Sequence, residues 1–373
     1  MERVSDLPHG ELRRTARQMN LPGFGLEQQN ALHNAHVFVI GAGGLGCPVM
    51  QTLAATGVGR ISVIDDDTVN ISNIHRQILF GAEDVGRPKV EVAGERLRQL
   101  QPGIELGLYR ERFTPDNALG LLEGVDVLID GSDTFATKFL AADAAELSGT
   151  PLVWGSVLRY RGDVALWWTG PGAPADGAGL RDLYPTQPAA DSVPDCATAG
   201  VLGVTTSVVG GLMATEAVKH LTGVGESRVG RLHIYDALGG SIQRFTVPRD
   251  PARALVDGFS EYEPVACEVN DAGGEGVEKL LLQPSIDVRE PHEKALRDVA
   301  RPGVNLPTSE WEEHPERARE LVERFDEGDQ VTVYCASGAR SGRFVERFGG
   351  DFAARGITLH NLPGGANAHG SDI

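Results

Sequence analysis

From His36 onward, short apolar runs alternate with longer runs in which apolar residues recur every three or four positions. The series is His36 to Ile40, Leu45 to Thr56, Ile61 to Ile64, Lys89 to Leu100 and Val125 to Ile129. The short runs predict strands and the long ones helices, so their alternation predicts an α/β fold with a doubly wound, mainly parallel sheet. Residues 151–169 and 231–247 read as further strands. Between them lie a Gly/Pro/Ala-rich loop over Gly170 to Pro194 and a helical pattern over Ala197 to Leu221. A loop of that length is ordinarily a functional lid or a disordered segment. From Pro248 the chain turns polar and Gly-rich, so 249–276 reads as a linker between a first domain over 1–248 and a second over 277–373. In the second, SIDV (285–288), VTVY (331–334) and GITL (356–359) predict the strands of a small α/β domain.

A chain of 373 residues with 41% hydrophobic content can build two cores of this kind. Its longest apolar stretches, such as Val125 to Ile129 and Val201 to Val209, fall well short of the roughly 20 residues a bilayer span needs. Residues Met1 to Gly10 lack the apolar core of a signal peptide, so a cytoplasmic protein is expected. Cys47, Cys196, Cys267 and Cys335 form no C-x-x-C pair and are too sparse for a disulfide framework, which points to reduced thiols. The net charge of -18, from 52 acidic and 34 basic residues, disfavours nucleic acid and anionic membranes as partners. Basic residues in structured places therefore call for a small anionic ligand.

The candidate site for that anion follows the first strand. Gly41-Ala42-Gly43-Gly44-Leu45-Gly46 is a G-x-G-G-x-G turn opening a helix, the Rossmann-like arrangement in which backbone N–H groups meet a phosphate. Asp65 closes the next strand, where a carboxylate accepts from ribose hydroxyls. Alone, this fits a nicotinamide or flavin enzyme as well as an ATP enzyme. Asp67, the run Ser72-Asn73-Ile74-His75-Arg76-Gln77, Lys89 and Gly131-Ser132-Asp133 add to it. Arg76 and Lys89 supply charge for a triphosphate, and Asp133 at the carboxyl edge of the sheet suits Mg2+ near the α-phosphate. Either cation taken singly is also an ordinary helix-end charge.

Over residues 16 to 248 the chain resembles the activating enzymes of the MoeB and ThiF type, relatives of the ubiquitin-activating enzymes. The matching pieces are Arg17-Gln18, GAGGLGCP (41–48), IDDDTVNISNIHRQ (64–77), Gly86-Arg87-Pro88-Lys89, Asp133, Gly155 and CATAGVLGV (196–204). The resemblance implies ATP binding by Gly41, Gly43, Gly44, Asp65, Asp67, Ser72, Asn73, Ile74, His75, Arg76, Lys89 and Thr134. It also implies Mg2+ at Asp133 and a homodimer in which Arg17 reaches across the interface. The family usually has Asn and Arg where this chain has Thr134 and Lys138, which changes the detail of phosphate binding. It commonly carries two C-x-x-C pairs holding a structural zinc. Here Gly179 and Asp182 stand in the positions of the first pair, and the second is missing, with Cys267 alone. In this the chain is close to the MoeZ-type fusions. No zinc is expected, and the long loop must be held by packing.

Two cysteines stand out. Cys196 precedes the Ala197 helical pattern, where a helix dipole lowers a thiol pKa, although a lone cysteine is commonly a buried small hydrophobe. Its place in the family motif implies a functional thiol. Cys335 follows VTVY and opens Cys335-Ala336-Ser337-Gly338-Ala339-Arg340, a strand, loop and helix that can converge N–H groups on a sulfur anion, with Arg340 adding charge. The C-x4-R spacing is shorter than the C-x5-R of a phosphatase loop. With IDVREP (286–291) and PGVNLP (302–307), residues 277 to 365 resemble a rhodanese domain, lacking the closing helix and aromatic usual after Gly364-Gly365. Together the resemblances imply ATP-dependent adenylation of a ubiquitin-like sulfur-carrier protein ending in Gly-Gly, then sulfur transfer from a Cys335 persulfide. The implied sulfur donor is a cysteine desulfurase or thiosulfate. The carrier could serve molybdopterin, thiamin, cysteine or thiolated-tRNA synthesis. The rival reading is a nicotinamide-dependent oxidoreductase with a rhodanese sensing module.

Overall fold

The structure, a computed structural model, describes residues 7–188, 200–262, 274–299 and 303–372. It divides into two units, Met1–Val265 and Ala266–Ile373. In the first, α1 (His9–Thr15) and α2 (Leu26–Asn34) precede β1 (His36–Ile40), α3 (Gly46–Thr56), β2 (Arg60–Ile64), α4 (Lys89–Leu100), β3 (Glu105–Tyr109) and α5 (Pro115–Leu121). Then come β4 (Val127–Asp130), α6 (Phe135–Ser148), β5 (Leu152–Leu158), β6 (Arg161–Trp167), α7 (Leu180–Leu183), α8 (Gly203–Thr222), β7 (Arg231–Asp236) and β8 (Ser241–Thr246). They build an eight-stranded sheet in the order β3-β2-β1-β4-β5-β6-β7-β8. It is parallel from β3 to β5 and continues as an antiparallel meander from β5 to β8.

The run HVFVI lacks polar alternation because β1 is covered on both faces. Val37 and Val39 belong to a core with Met50 and Leu53 of α3 and Val209 and Met213 of α8. Phe38 and Ile40 belong to the opposite core, with Phe139 and Ala142 of α6. The helix expected from Ala197 begins at Gly203, and residues 189–199, Cys196 among them, lie outside the described residues.

Two expectations change. The segment expected to begin the linker instead belongs to the first unit, because Arg253 docks into it. Arg253 Nε and Nη2 donate to Asp182 at 2.9 and 3.2 Å, and its Nη1 and Nη2 donate to Glu146 at 3.1 and 2.9 Å. Asp182 also accepts from the N–H groups of Gly179 and Asp250, and Glu146 from Thr169 Oγ1 and Val256 N–H. Asp143 accepts from Arg181 and from Tyr262 Oη. The described part of the long loop is therefore held by buried ion pairs and not by packing alone. Asp182, in a position the resemblance gives to a zinc cysteine, is occupied by three donors including a guanidinium. That donor set does not suit zinc, since cations and N–H groups already take the lone pairs a metal needs.

Arg253→Met is expected to lose about 3 kcal/mol of stability, because it leaves Glu146 and Asp182 as uncompensated buried carboxylates. Burial opposes ionisation of both, but the Arg253 hydrogen bonds and charge, together with the Thr169 hydroxyl and Val256 N–H at Glu146 and the Gly179 and Asp250 N–H groups at Asp182, hold both carboxyls below the usual range. A depressed folded-state pKa contributes stability above the unfolded value, so the cluster's share is present at pH 7 and disappears as pH falls below about 4. Urea titrations at the two pH values check this, and elemental analysis should find no stoichiometric zinc. Wild-type stability in the variant, or one zinc per chain, would contradict it.

The second unit contains α9 (Gly274–Leu280), β9 (Ser285–Asp287), α10 (Pro291–Leu296), β10 (Arg297–Asp298), β11 (Gly303–Asn305), α11 (Thr308–Glu313) and α12 (Pro315–Glu320). It continues with β12 (Gln330–Tyr334), α13 (Ala339–Ala353), β13 (Thr358–Asn361), α14 (Gly365–His369) and β14 (Ser371–Asp372). Its main sheet, β11-β9-β12-β13, is parallel throughout. Phe344, Phe348 and Phe352, four apart on α13, form one face that packs with Trp311, Ile286, Val331 and Val333. A short helix with no Phe, Tyr or Trp, α14, follows Gly364.

Candidate nucleotide cleft and cysteine site

The strand order reverses at β1, with β2 on one side and β4 on the other, so the loops leaving β1 and β4 part and open a crevice. A cleft of about 460 Å³ lies there, lined by Gly41, Gly43 and Gly44 after β1, Asp65 and Asp67 after β2, and Asp133 and Thr134 after β4, with Arg76 and Lys89. Gly41 has a φ of +87°, and a Cβ on Gly46 would collide with the Gly41 carbonyl oxygen. Glycine at both positions is what lets the N-terminus of α3 face the crevice.

Asp65 Oδ2 accepts from Ala42 N–H at 2.7 Å and Oδ1 from Asp67 N–H at 2.9 Å, which locks the end of β2 to the glycine turn. Burial pushes the Asp65 carboxyl above its usual range, and Lys89 and these two N–H groups offset part of that. Lys89 is buried and donates to Asp67 Oδ2 at 2.8 Å. Arg76 pairs with no carboxylate among the described residues; its Nη1 meets Ser72 O at 3.1 Å and His75 Nε2 at 2.8 Å. Its charge is thus left for an anion in the cleft.

Ser72, Asn73, Ile74 and His75 do not line the cleft. Asn70 Oδ1 accepts from Ser72 N–H and Oγ, and Asn73 Oδ1 accepts from Asn70 N–H, so these side chains build the turn that presents Arg76. Arg17 is exposed and also outside the cleft lining. Asp133 is exposed, lines the cleft and makes no hydrogen bond among the described residues. With the Thr134 and Thr137 hydroxyls beside it, the oxygen donors fit Mg2+.

Gln77, Ser132 and Lys138 also line the cleft; the sequence places Gln77 and Ser132 within the site's runs and Lys138 at a family position, without giving any of the three a role of its own. Gln77 is buried, and its Oε1 has no hydrogen-bond partner. Its place directly after Arg76 was a usable signal.

In the second unit Cys335 follows β12, and its Sγ accepts from Gly338 N–H at 3.1 Å and Ser341 Oγ at 3.4 Å. Gly338 takes a φ of +104° to turn that N–H inward. Burial would raise the thiol, but the Ser341 hydroxyl and N–H and the Arg340 charge more than offset it, and Cys335 falls below the ordinary thiol value. At Cys47 burial outweighs the Leu79 N–H and the Lys89 charge, and the thiol is pushed up to about 12. The Arg340 guanidinium, whose charge lowers the thiol, also donates from its Nη1 and Nη2 to Glu293 at 2.7 and 2.5 Å. From behind, Ala366 N–H donates to Cys335 O and Asn367 N–H to Ala336 O, which pins the loop against α14.

Residues 15–255 match the ThiF family. Over 358 residues the chain is 40% identical to a protein of Mycobacterium tuberculosis named "probable adenylyltransferase/sulfurtransferase MoeZ", covering 91% of this chain and 89% of that one. It is 47% identical over 241 residues to the sulfur carrier protein adenylyltransferase of Thermus thermophilus, covering 65% of this chain and 89% of that one. Among solved structures, Escherichia coli MccB with ATP aligns with a TM-score of 0.54 at 20% identity, covering 67% of this chain and 76% of that one, a likeness of fold alone. The glycine turn, the Asp65 strand end and the Arg76 turn all fall inside the matched span, and the chain belongs to the ThiF family.

Proposed function

We propose that the chain adenylates the C-terminal Gly-Gly carboxylate of a ubiquitin-like sulfur-carrier protein and then places sulfur on it. The observation that carries this reading is the cleft itself. In a ThiF-family chain it gathers a glycine turn and, among the described residues, a guanidinium without an acid partner and a carboxylate free of hydrogen bonds. ATP lies with its ribose at Asp65 and its phosphates at Gly43, Gly44, Arg76 and Lys89. The carrier carboxylate attacks the α-phosphate, forming an acyl-adenylate and releasing pyrophosphate. Arg76 and Lys89 offset charge building on the phosphates. Mg2+ held at Asp133 supplies further charge neutralisation when bound.

Sulfur enters as a persulfide on Cys335, loaded by a cysteine desulfurase or thiosulfate, in a loop whose N–H donors favour the anion. The terminal sulfur attacks the acyl carbon and AMP leaves, giving an acyl disulfide. A thiol, Cys196 or another, then attacks that disulfide, freeing the carrier thiocarboxylate and leaving a protein disulfide for an outside reductant. A cytoplasmic homodimer with Arg17 crossing the interface belongs to the same reading. Among the described residues no helix is long and apolar enough to cross a membrane.

ATP–pyrophosphate exchange tests the first half. Exchange should require a carrier with its Gly-Gly intact and vanish when those two residues are removed. Exchange with no carrier of this type, together with thermal stabilisation by NADH in place of ATP, would return the chain to the oxidoreductase reading.

A further inference from the structure

The end of β4 carries a second carboxylate that adenylation as described does not use. Asp130 is fully buried, and Lys138 of α6 faces it with its side chain 3% exposed. Lys138 Nζ donates to Asp130 Oδ2 at 3.0 Å, to Ser132 O at 2.8 Å and to Gly155 O at 2.6 Å. An ammonium has three hydrogens, so each is engaged by a different segment: the last residue of β4, the loop after it and β5. The other oxygen of Asp130 accepts from Ser132 N–H at 3.0 Å and Ser132 Oγ at 2.5 Å. Gly131 N–H donates to Ile40 O at 2.9 Å. The backbone is thus gripped from both sides at Ser132, one residue before Asp133, whose own side chain has no hydrogen bond among the described residues to hold it.

Stability does not explain such a pair, because desolvating two charges cancels much of their attraction and an apolar pair of similar volume would serve as well. An apolar pair could not hold two backbone carbonyls. We propose that Asp130 and Lys138 are a positioning unit that sets the Asp133 carboxylate in the nucleotide cleft, and that Lys138 takes no part in binding phosphate. This rests on the adenylation reading above. Lys138 lines the cleft, yet no hydrogen of its ammonium is left for a ligand.

Lys138→Met alone leaves a buried carboxylate stranded, so the decisive protein is the neutral double variant Asp130→Asn/Lys138→Met. It keeps an acceptor for Ser132 and removes only the grip on the two carbonyls. Mn2+ binding to the protein with a non-hydrolysable ATP analogue is read by electron paramagnetic resonance, beside nucleotide binding without metal and steady-state pyrophosphate exchange. Metal-free nucleotide binding should match wild type, Mn2+ affinity should fall about tenfold, and the loss in exchange should lie in kcat with KM for ATP almost unmoved. Lys138→Arg, which keeps the charge and donors, should recover most of the Mn2+ affinity. Wild-type Mn2+ affinity in the double variant overturns the inference, as does a loss confined to KM for ATP, which would make Lys138 a phosphate ligand. Failure of the wild-type protein itself to bind Mn2+ with nucleotide or to exchange pyrophosphate overturns the adenylation reading, and this inference with it.

Discussion

Asp133→Ala should lower carrier-dependent pyrophosphate exchange by about a hundred- to a thousandfold while weakening ATP binding no more than about tenfold. The asymmetry comes from where the carboxylate stands. Bound nucleotide is held largely by groups at other positions, the glycine turn, Asp65, Arg76 and Lys89. Asp133 belongs to the β4 loop, and its side chain is engaged by nothing else among the described residues. A carboxylate kept free of protein donors is available to a cation, and the charge that cation neutralises is greatest as the pyrophosphate departs. The interaction therefore strengthens in the transition state and is felt in kcat more than in binding. Exchange rates and equilibrium ATP affinity measured on the same preparation separate the two. Unchanged exchange would remove Asp133 from the chemistry altogether.

How much of this was legible along the chain depends on how local each contact is. The first strands and α4 stand within two residues of the expected ranges, since a strand covered on both faces must be apolar throughout and α4 carries a plain helical period. Helix α6 was not expected, because Lys138, Asp143 and Glu146 interrupt its apolar pattern; all three are buried and paired with partners from other segments. The edge strand β3, only partly buried, gives a weak signal for the opposite reason. The glycine turn and Asp65 were readable because their geometry is set by adjacent residues. The Arg253 anchor was not, for its partner Asp182 lies 71 residues away, and nothing in the Gly-rich stretch after Pro248 distinguishes one arginine from a solvated charge. Likewise the Cys335 loop announced itself, whereas Glu293, 47 residues before Arg340, did not.

Cys335→Ala should leave acyl-adenylate formation intact and stop sulfur transfer from the donor. The first half of the reaction needs only the cleft in the first unit, none of whose lining residues belongs to the second. The second half needs a sulfur anion. Among the described cysteines, Cys335 has Gly338 N–H and Ser341 Oγ directed at it and a thiol below its ordinary value, whereas burial pushes Cys47 to about 12 and leaves it inert at neutral pH. Cys196→Ala should be milder. If Cys196 only resolves the acyl disulfide, a small-molecule thiol in solution replaces it, because that step is ordinary exchange. No solute replaces a persulfide that must be delivered to a bound adenylate, since the effective concentration of a tethered nucleophile far exceeds that of a free one. Carrier thiocarboxylate is counted by mass spectrometry for each variant, with the physiological donor, in the presence and absence of reductant. The expected pattern is no product from Cys335→Ala in either condition, and product from Cys196→Ala that reductant restores to the wild-type yield. Full yield from Cys335→Ala without reductant would make the second unit a passenger and move the sulfur acceptor to Cys196.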